Sequence, residues 1–401
     1  MKKILIVSHW MEIGGAERSL IGLLNSIDYS NYSVDLYLCR HTGEFLKLIP
    51  KEVNLLPEDS KAAAIAIPLK SVLMKGYLDI FIGRLLGKLV AKFFTIIKKP
   101  KYPNNIAIEY SNLFTFPFIS KIVPNNLYDL TISFLEPHYI AAYKTRAKIK
   151  IAWMHTDYSQ IDLDVKEGYK IWNQFDYIAS ISENCTEGFC SRFPDLKHRI
   201  IQIENILSPS FVKQQAAENI NIEHEMELSD HEVKLLSIGR FSYAKNFDNV
   251  PDICKLIIEA GYKIRWCLIG YGGDEQLIKE KIIEAGMQDH VIILGKKENP
   301  YPYLKYCDIY VQPSRYEGKA VAVREAQMLC KPVVITNFST SNSQLKNNFD
   351  GIIVPMDVEG CAKGIIELIR NKNLRKKLSI NCSNMDYGNE FEIQKIYNLI
   401  K

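Results

Sequence analysis

In the run "EGKAVAVRE" (317–325), two carboxylates, Glu317 and Glu325, bracket seven residues that are small, apolar or basic. The run directly follows the strand-like "CDIYVQPSRY", so it lies where a strand of an open sheet gives way to a helix. Gly318 leaves the turn without a side chain. The amides of Lys319, Ala320, Val321 and Ala322 then open the helix "AVREAQML", where unpaired N–H groups and the helix dipole favour a phosphate or sugar hydroxyls. A plainer reading makes Glu325 a first-turn acid favoured by the dipole and Glu317 an exposed loop residue.

Three other loops carry related chemistry. "GRFSYAKN" (239–246) sets Arg240 and Lys245 after Gly239, at the end of the strand-like "VKLLSIG". Two fixed cations there could neutralise a diphosphate without a metal. "GYGGDE" (270–275) ends the next strand, and Gly270 allows close approach of a ligand, although a turn capped by Asp274 explains the run equally well. Near the N-terminus, "IGGAERS" (13–19) lets Gly14 and Gly15 bring amides up to an anion, with a simple tight turn as the alternative. The pattern is not G-x-G-x-x-G, and the next strand ends at Leu38 and Cys39 with no acid. Both points weigh against a nicotinamide dinucleotide site.

These loops need strands to hold them. "KILIVS" (3–8), "SVDLYLC" (33–39), "DLTISF" (129–134), "IKIAWM" (149–154), "YIASIS" (177–182) and "RIIQIE" (199–204) alternate with helical patterns. Near-continuous apolar strands separated by helices predict a parallel sheet covered on both faces. A second series runs through "VKLLSIG" (233–239), "KIRWCLIG" (263–270), "HVIILG" (290–295), "CDIYVQ" (307–312), "KPVVIT" (331–336) and "GIIVP" (351–355). The expectation is therefore α/β, two Rossmann-like doubly wound domains facing a cleft: 1–207, a linker at 208–232, 233–385, and a final helix at 386–401 that packs back on the first domain.

At 401 residues the chain exceeds one ordinary core. Its 47% hydrophobic and 24% charged residues fit a globular protein, and a net charge of +4 is too small for a nucleic-acid binder. Nine cysteines without a C-x-x-C suggest neither a disulfide framework nor a zinc site, and predict reduced thiols in a cytoplasmic protein. "MKKILIV" has too short an apolar run for a signal peptide and reads as a first strand. "DLD" (162–164) has the spacing of a metal-binding D-x-D but opens a helix. The segment 70–99 is apolar yet interrupted by Lys75, Arg84, Lys88, Lys92, Lys98 and Lys99. It is no transmembrane span; it is either a basic amphipathic helix on an anionic membrane surface or a helix packed on its own domain.

From "GRF…KN" through "GYG", "ILG" and "YCDIYVQPSRYEG……EAQMLCKPVV" to "DGIIVP", the chain resembles the group 1 (family 4) retaining glycosyltransferases of the GT-B fold, with "GGAER" and "WMH" fitting more loosely. The resemblance implies that Arg240 and Lys245 bind the diphosphate of a nucleotide sugar, UDP- or GDP-linked, with no further cofactor. It implies that Glu317 touches the transferred sugar, that Glu325 accepts from the ribose, that Gly14 and Gly15 close over the donor, and that His155 stands beside the donor sugar. Gly239, Gly270, Gly318, Lys319, Ala320 and Val321 complete the implied donor site. Lys319-Ala320-Val321 departs from the glycine or proline many relatives place after "EG", which bears on the donor's identity.

The implied reaction is metal-independent transfer of a hexose or N-acetylhexosamine, with retention, to a glycan acceptor on a polyprenyl lipid in bacterial surface polysaccharide synthesis. Retention by attack from the leaving-group face needs no dedicated nucleophile, so Glu317 and Glu325 are not read as a glycosidase pair. A sugar-nucleotide epimerase of the same architecture and a non-catalytic sugar- or lipid-binding protein are the competing readings.

Overall fold

In a computed structural model, which describes residues 1–100, 103–123, 126–218, 222–226 and 232–401, the β-branched runs form strands whose every pairing is parallel. The first seven are β1 (Lys2–Ser8), β2 (Tyr32–Leu38), β3 (Asn54–Leu55), β4 (Tyr128–Ser133), β5 (Ala147–Met154), β6 (Tyr177–Ser180) and β7 (Ile200–Gln202). They lie in the order β3-β2-β1-β4-β5-β6-β7. The next six are β8 (Val233–Ile238), β9 (Ile264–Ile269), β10 (Val291–Gly295), β11 (Ile309–Gln312), β12 (Val333–Thr336) and β13 (Ile352–Val354), in the order β10-β9-β8-β11-β12-β13.

Burial explains the apolar runs. Ile4, Leu5, Ile6 and Val7 point alternately to opposite faces of β1, yet all are buried, because helices cover both faces of a parallel sheet. The second sheet has a core on each face as well: Leu235, Trp266 and Val311 belong to one, and Leu236, Cys267 and Tyr310 to the other. β3 lies outside the predicted strands. Its two residues are exposed, and Asn54 is tied to β2 by a 2.7 Å hydrogen bond to Asp35. No apolar alternation marks so short an edge strand.

The chain divides into a unit of residues 1–206 and 390–401 and a second unit of 207–389. This corrects the expected boundaries. The stretch read as a linker from 208 starts with helix Pro209–Gln215, whose N-cap Ser208 accepts from the Phe211 amide. Val212 and Ala216 are buried with Tyr301, Met328, Cys382 and Tyr387, so the second core absorbs this segment. Residues 219–221 and 227–231 of that stretch lie outside the described residues. The second unit runs on to Asn389, and helix Ile393–Leu399 belongs to the first.

In each sheet the strand order reverses at one place, between β1 and β4 and between β8 and β11. Loops leaving the carboxyl ends of such a pair diverge and leave room for a ligand. All nine cysteines are free, seven of them buried. Among the described residues no helix is long and apolar enough to cross a membrane.

Candidate functional site

The two loops that leave β8 and β11 meet. After β8 the chain forms a single turn, Tyr243–Lys245, and Asn246 then adopts a left-handed conformation at φ 60° that asparagine tolerates. The Asn246 side-chain amide donates to the Pro313 carbonyl at 2.8 Å, and the Arg315 amide donates to the Ala244 carbonyl at 2.8 Å. Gly239 gives the Lys245 stem its path, since a Cβ there would stand 3.2 Å from Lys245 Cδ.

The Lys245 ammonium pairs with the Glu317 carboxylate. Glu317 Oε1 also accepts from Ser314 Oγ at 2.6 Å and from Gln312 Nε2 at 3.4 Å, and its main-chain carbonyl accepts from Thr340 Oγ1 at 2.8 Å. A buried polar chain lies beneath. Tyr310 donates to Gln312 Oε1, which leaves the Gln312 amide to reach Ser314 Oγ at 2.9 Å. Buried polar groups so satisfied hold a geometry rather than merely tolerate burial.

Arg315 braces the same pair of loops. Its guanidinium forks onto Asp248 at 2.9 and 2.6 Å, donates to the Tyr243 carbonyl at 2.7 Å, and lies 4.2 Å from the Tyr243 ring centre. Arg240, by contrast, is exposed, and its side chain bonds to no other described residue. The site thus presents one solvent-facing cation on the same loop as a neutralised pair, so an arriving phosphate meets a single uncompensated positive charge.

Gly270 is required sterically. Its φ is +154°, and a Cβ would stand 1.8 Å from the Gly239 carbonyl oxygen, so only glycine lets the β8 and β9 loops close. The helix Val321–Met328 begins at Ala320 with no side-chain cap. The Ala320 amide is already engaged: it is buried and donates to Gln344 Oε1 at 3.0 Å. Lys319 and Gly318 are partly exposed, and Val321 is in the first turn, where amides lack helical partners.

Glu325 is enclosed as well. It stands one turn inside that helix with 0% exposure, and its Oε1 accepts from the Tyr301 hydroxyl at 2.7 Å. Its carboxylate faces protein, not solvent, because the Tyr301–Tyr306 helix covers that side.

In the first unit, Gly14 caps helix Gly15–Asn25, and its missing side chain makes room for the Glu17 carboxylate, which accepts from Trp10 Nε1 at 3.1 Å. The loop therefore carries its own anion at the helix start. His155 follows β5, packed 4.6 Å from the Phe134 ring. Burial lowers its pKa to about 4, opposed by the Phe134 backbone and the Asn205 side chain, neither of which closes into a hydrogen bond. A neutral imidazole results, able to accept or donate one proton. His138 is different: its Nδ1 is 2.8 Å from Ser133 Oγ and its ring packs at a tilt 4.8 Å from that of Trp172, a structural setting.

Of "DLD", Asp164 is the N-cap of helix Val165–Trp172, accepting from the Lys166 and Glu167 amides and from the Tyr110 hydroxyl. Among the described residues no group of three or more His, Cys, Asp or Glu could hold a metal ion. Sequence reasoning missed Gln312, Ser314, Arg315, Asp248, Tyr301 and Gln344. Ser314 alone had a local signal, its place in "QPS" before "EG"; the others act through contacts distant in sequence.

Residues 219–385 match the family "Glycosyl transferases group 1". The second unit is a group 1 glycosyl transferase domain. Its relatives include the amylovoran biosynthesis glycosyltransferase AmsD of Erwinia amylovora, 26% identical over 165 residues, 40% of this chain and 46% of that one. Another is the Escherichia coli UDP-Gal:alpha-D-GlcNAc-diphosphoundecaprenol alpha-1,3-galactosyltransferase, 29% identical over 119 residues, 29% of this chain and 30% of that one. The match thus spans less than half the length of either relative. The crystal structure of Anabaena HepE in complex with UDP and glucose superposes with a TM-score of 0.69 at 15% identity, covering 100% of this chain and 99% of that one. That likeness shows the fold, the two parallel-sheet units of the GT-B class, with the glycosyl transferase domain as its C-terminal unit.

Proposed function

We propose that the protein transfers a hexose or N-acetylhexosamine, with retention and without a metal, from a nucleotide sugar to a lipid-linked glycan in surface polysaccharide synthesis. The observation that carries the proposal is the Lys245–Glu317 pair beside the exposed Arg240, all at the β8/β11 reversal of a group 1 glycosyl transferase domain. Cleaving the sugar–phosphate bond builds negative charge on the leaving diphosphate. Arg240 and Lys245 take up that charge, and the site needs no metal to do so. Glu317, held by Ser314, Gln312 and Lys245, has a fixed orientation suited to positioning the sugar rather than attacking it.

The neutral His155 would meet a sugar hydroxyl, Gly14 and Gly15 would close over the donor, and Gly239, Gly270, Gly318, Lys319 and Val321 would line it. For Glu325 a ribose role requires that nucleotide binding uncover the carboxylate now held by Tyr301. Ala320 would contribute through its backbone only if Gln344 released it. A UDP-linked donor is supported by the UDP in HepE and by the E. coli relative's name, and a polyprenyl-diphosphate acceptor by that name alone. Polysaccharide synthesis is supported by AmsD, and a cytoplasmic site of action follows from a nucleotide-sugar donor.

The deciding experiment incubates the protein with a panel of UDP- and GDP-sugars, with and without a polyprenyl-diphosphate glycan and with EDTA, and follows products by mass spectrometry. Acceptor-dependent glycan extension that survives EDTA and is lost in Arg240→Ala/Lys245→Ala is expected. Nucleotide release without extension would favour the epimerase, and unchanged transfer by the double variant would remove the assigned machinery.

A further inference from the structure

The helix Leu78–Lys98 and the helix Pro103–Thr115 pack as a pair in the first unit, and the pairing face of the longer one is lined by small residues. A Cβ on Gly83 would stand 2.7 Å from the Phe114 carbonyl oxygen, and one on Gly87 2.6 Å from that of Tyr110, while Ala91 is buried with Ile106 and Tyr110. These positions recur every four residues and so share one side of the helix. Another side is apolar and open. Leu78, Ile82, Leu85, Leu89, Phe93 and Ile96, spaced along a second stripe, are 45–68% exposed, and Leu86 and Ile97 border them at 45% and 74%. Monomeric proteins seldom leave so continuous an apolar stripe in water.

Charge says what covers it. Lys75, Lys88, Lys92, Lys98 and Lys99 are all exposed around the stripe. Arg84 is not part of this set, since it turns inward and donates to the Ala64 and Ile67 carbonyls. The only acid from Lys70 to Lys99 is Asp79, and it is paired with Lys61. A second copy of the chain laid on this face would bring lysines against lysines. An anionic bilayer takes both the apolar stripe and the flanking ammonium groups. Spanning is excluded by five charged residues within the helix, Asp79, Arg84, Lys88, Lys92 and Lys98, so the helix lies in the headgroup plane.

We propose that the outer stripe of helix Leu78–Lys98 is a docking face for an anionic lipid bilayer. The proposal stands on the helix pair alone and goes beyond the transfer reading, which it would place at a lipid surface where a lipid-linked acceptor resides.

The test is flotation of the full chain with phosphatidylcholine vesicles and with vesicles carrying a third phosphatidylglycerol, at low and high salt. Flotation with the anionic vesicles only, weakened by salt, is expected. Leu85→Asp/Leu89→Asp/Phe93→Asp should weaken partition at least about tenfold by removing buried apolar area. Lys88→Glu/Lys92→Glu should weaken it by roughly tenfold or more through lost attraction to the anionic surface. All five sites are solvent-facing, so both variants should keep the wild-type thermal midpoint, and both should turn over nucleotide sugar in solution as wild type does. Wild type that stays with the unbound fraction, an aspartate variant that floats like wild type, or a dimer by light scattering that this variant splits would each overturn the proposal. Loss of donor turnover in every form would instead count against the transfer reading alone.

Discussion

Lys245 and Glu317 neutralise each other across two loops, so a diphosphate arriving at Arg240 meets a lysine already engaged. Glu317→Gln keeps the hydrogen bonds to Ser314 and Gln312 but removes the counter-charge. UDP should then bind more tightly, by about 1 kcal/mol or roughly fivefold, because Lys245 is freed. Sugar transfer should fall by ~100-fold, since the oriented carboxylate is lost in the transition state. Calorimetric UDP titration and steady-state turnover check the two halves separately, and weaker UDP binding would contradict the first. Arg240, Lys245 and Glu317 were legible in the sequence because each follows a strand that the β-branched pattern marks. Arg315 was not, although it immediately precedes "YEG": its partner Asp248 is 67 residues away, and an arginine in a loop gives no sign of whether it is solvated or forked onto a carboxylate. Glu325 and Ala320 were placed on the right helix but assigned to its open side, because spacing alone does not say that Tyr301 and Gln344 close over them.

At the scale of elements, the strands were readable because parallel sheets bury both faces, and their apolar runs stand out from the helices between them. Unmarked elements were those held by hydrogen bonds or by a distant core: β3, and helix Pro209–Gln215, whose Val212 faces Met328 and Tyr387. The β8 and β9 ends show how one residue sets an element's geometry. Gly270→Ala pushes a Cβ to 1.8 Å from the Gly239 carbonyl, which neither loop can absorb locally. Destabilisation of roughly 3 kcal/mol or more is expected, with loss of UDP binding because Gly239 leads into Arg240 and Lys245. Denaturant unfolding followed by far-UV circular dichroism measures the first. A wild-type midpoint would mean that the loops can part freely.

Two consequences belong to the whole molecule. The first unit holds three histidines as neutral rings: desolvation keeps the partly buried His9 and His155 near 4 and the buried His138 near 3, against an ordinary 6.5. A group whose pKa is depressed by folding binds more protons when unfolded, so these histidines withdraw stability as pH falls from about 6.5 towards 4. Glu109, raised to about 7 by burial, acts in the opposite sense, gaining stability as pH falls through 7, and Glu136, whose carboxyl burial also raises, acts in the same sense as Glu109. Three histidines outweigh two carboxyls, so the thermal midpoint should drop steadily between pH 6.5 and 4.5; a midpoint that rises on acidification would contradict this.

The second consequence comes from how the chain is shared between the units. The chain leaves the first unit at Ile206 and returns at Glu390, so the first unit is discontinuous and the second is inserted within it. The returning helix Ile393–Leu399 is an integral part of the first unit. Tyr397 stacks on Tyr32 with ring centres 4.2 Å apart and its hydroxyl accepts from the Asp28 amide at 2.8 Å. Glu392 accepts from the Glu204 amide at 3.0 Å, and Ile393 and Ile396 are buried. A fragment of residues 1–206 therefore lacks part of its own core, whereas 207–389 holds all of its strands and both faces of their cover. The fragment 207–389 should fold alone with a cooperative thermal transition. The fragment 1–206 should melt well below the same fragment joined to 390–401 by a short flexible linker, by about 10 °C or more, as losing two buried isoleucines and a tyrosine stack costs several kcal/mol. Scanning calorimetry of the three fragments decides it, and equal midpoints for 1–206 with and without the helix would show that the return of the chain adds nothing to the first core.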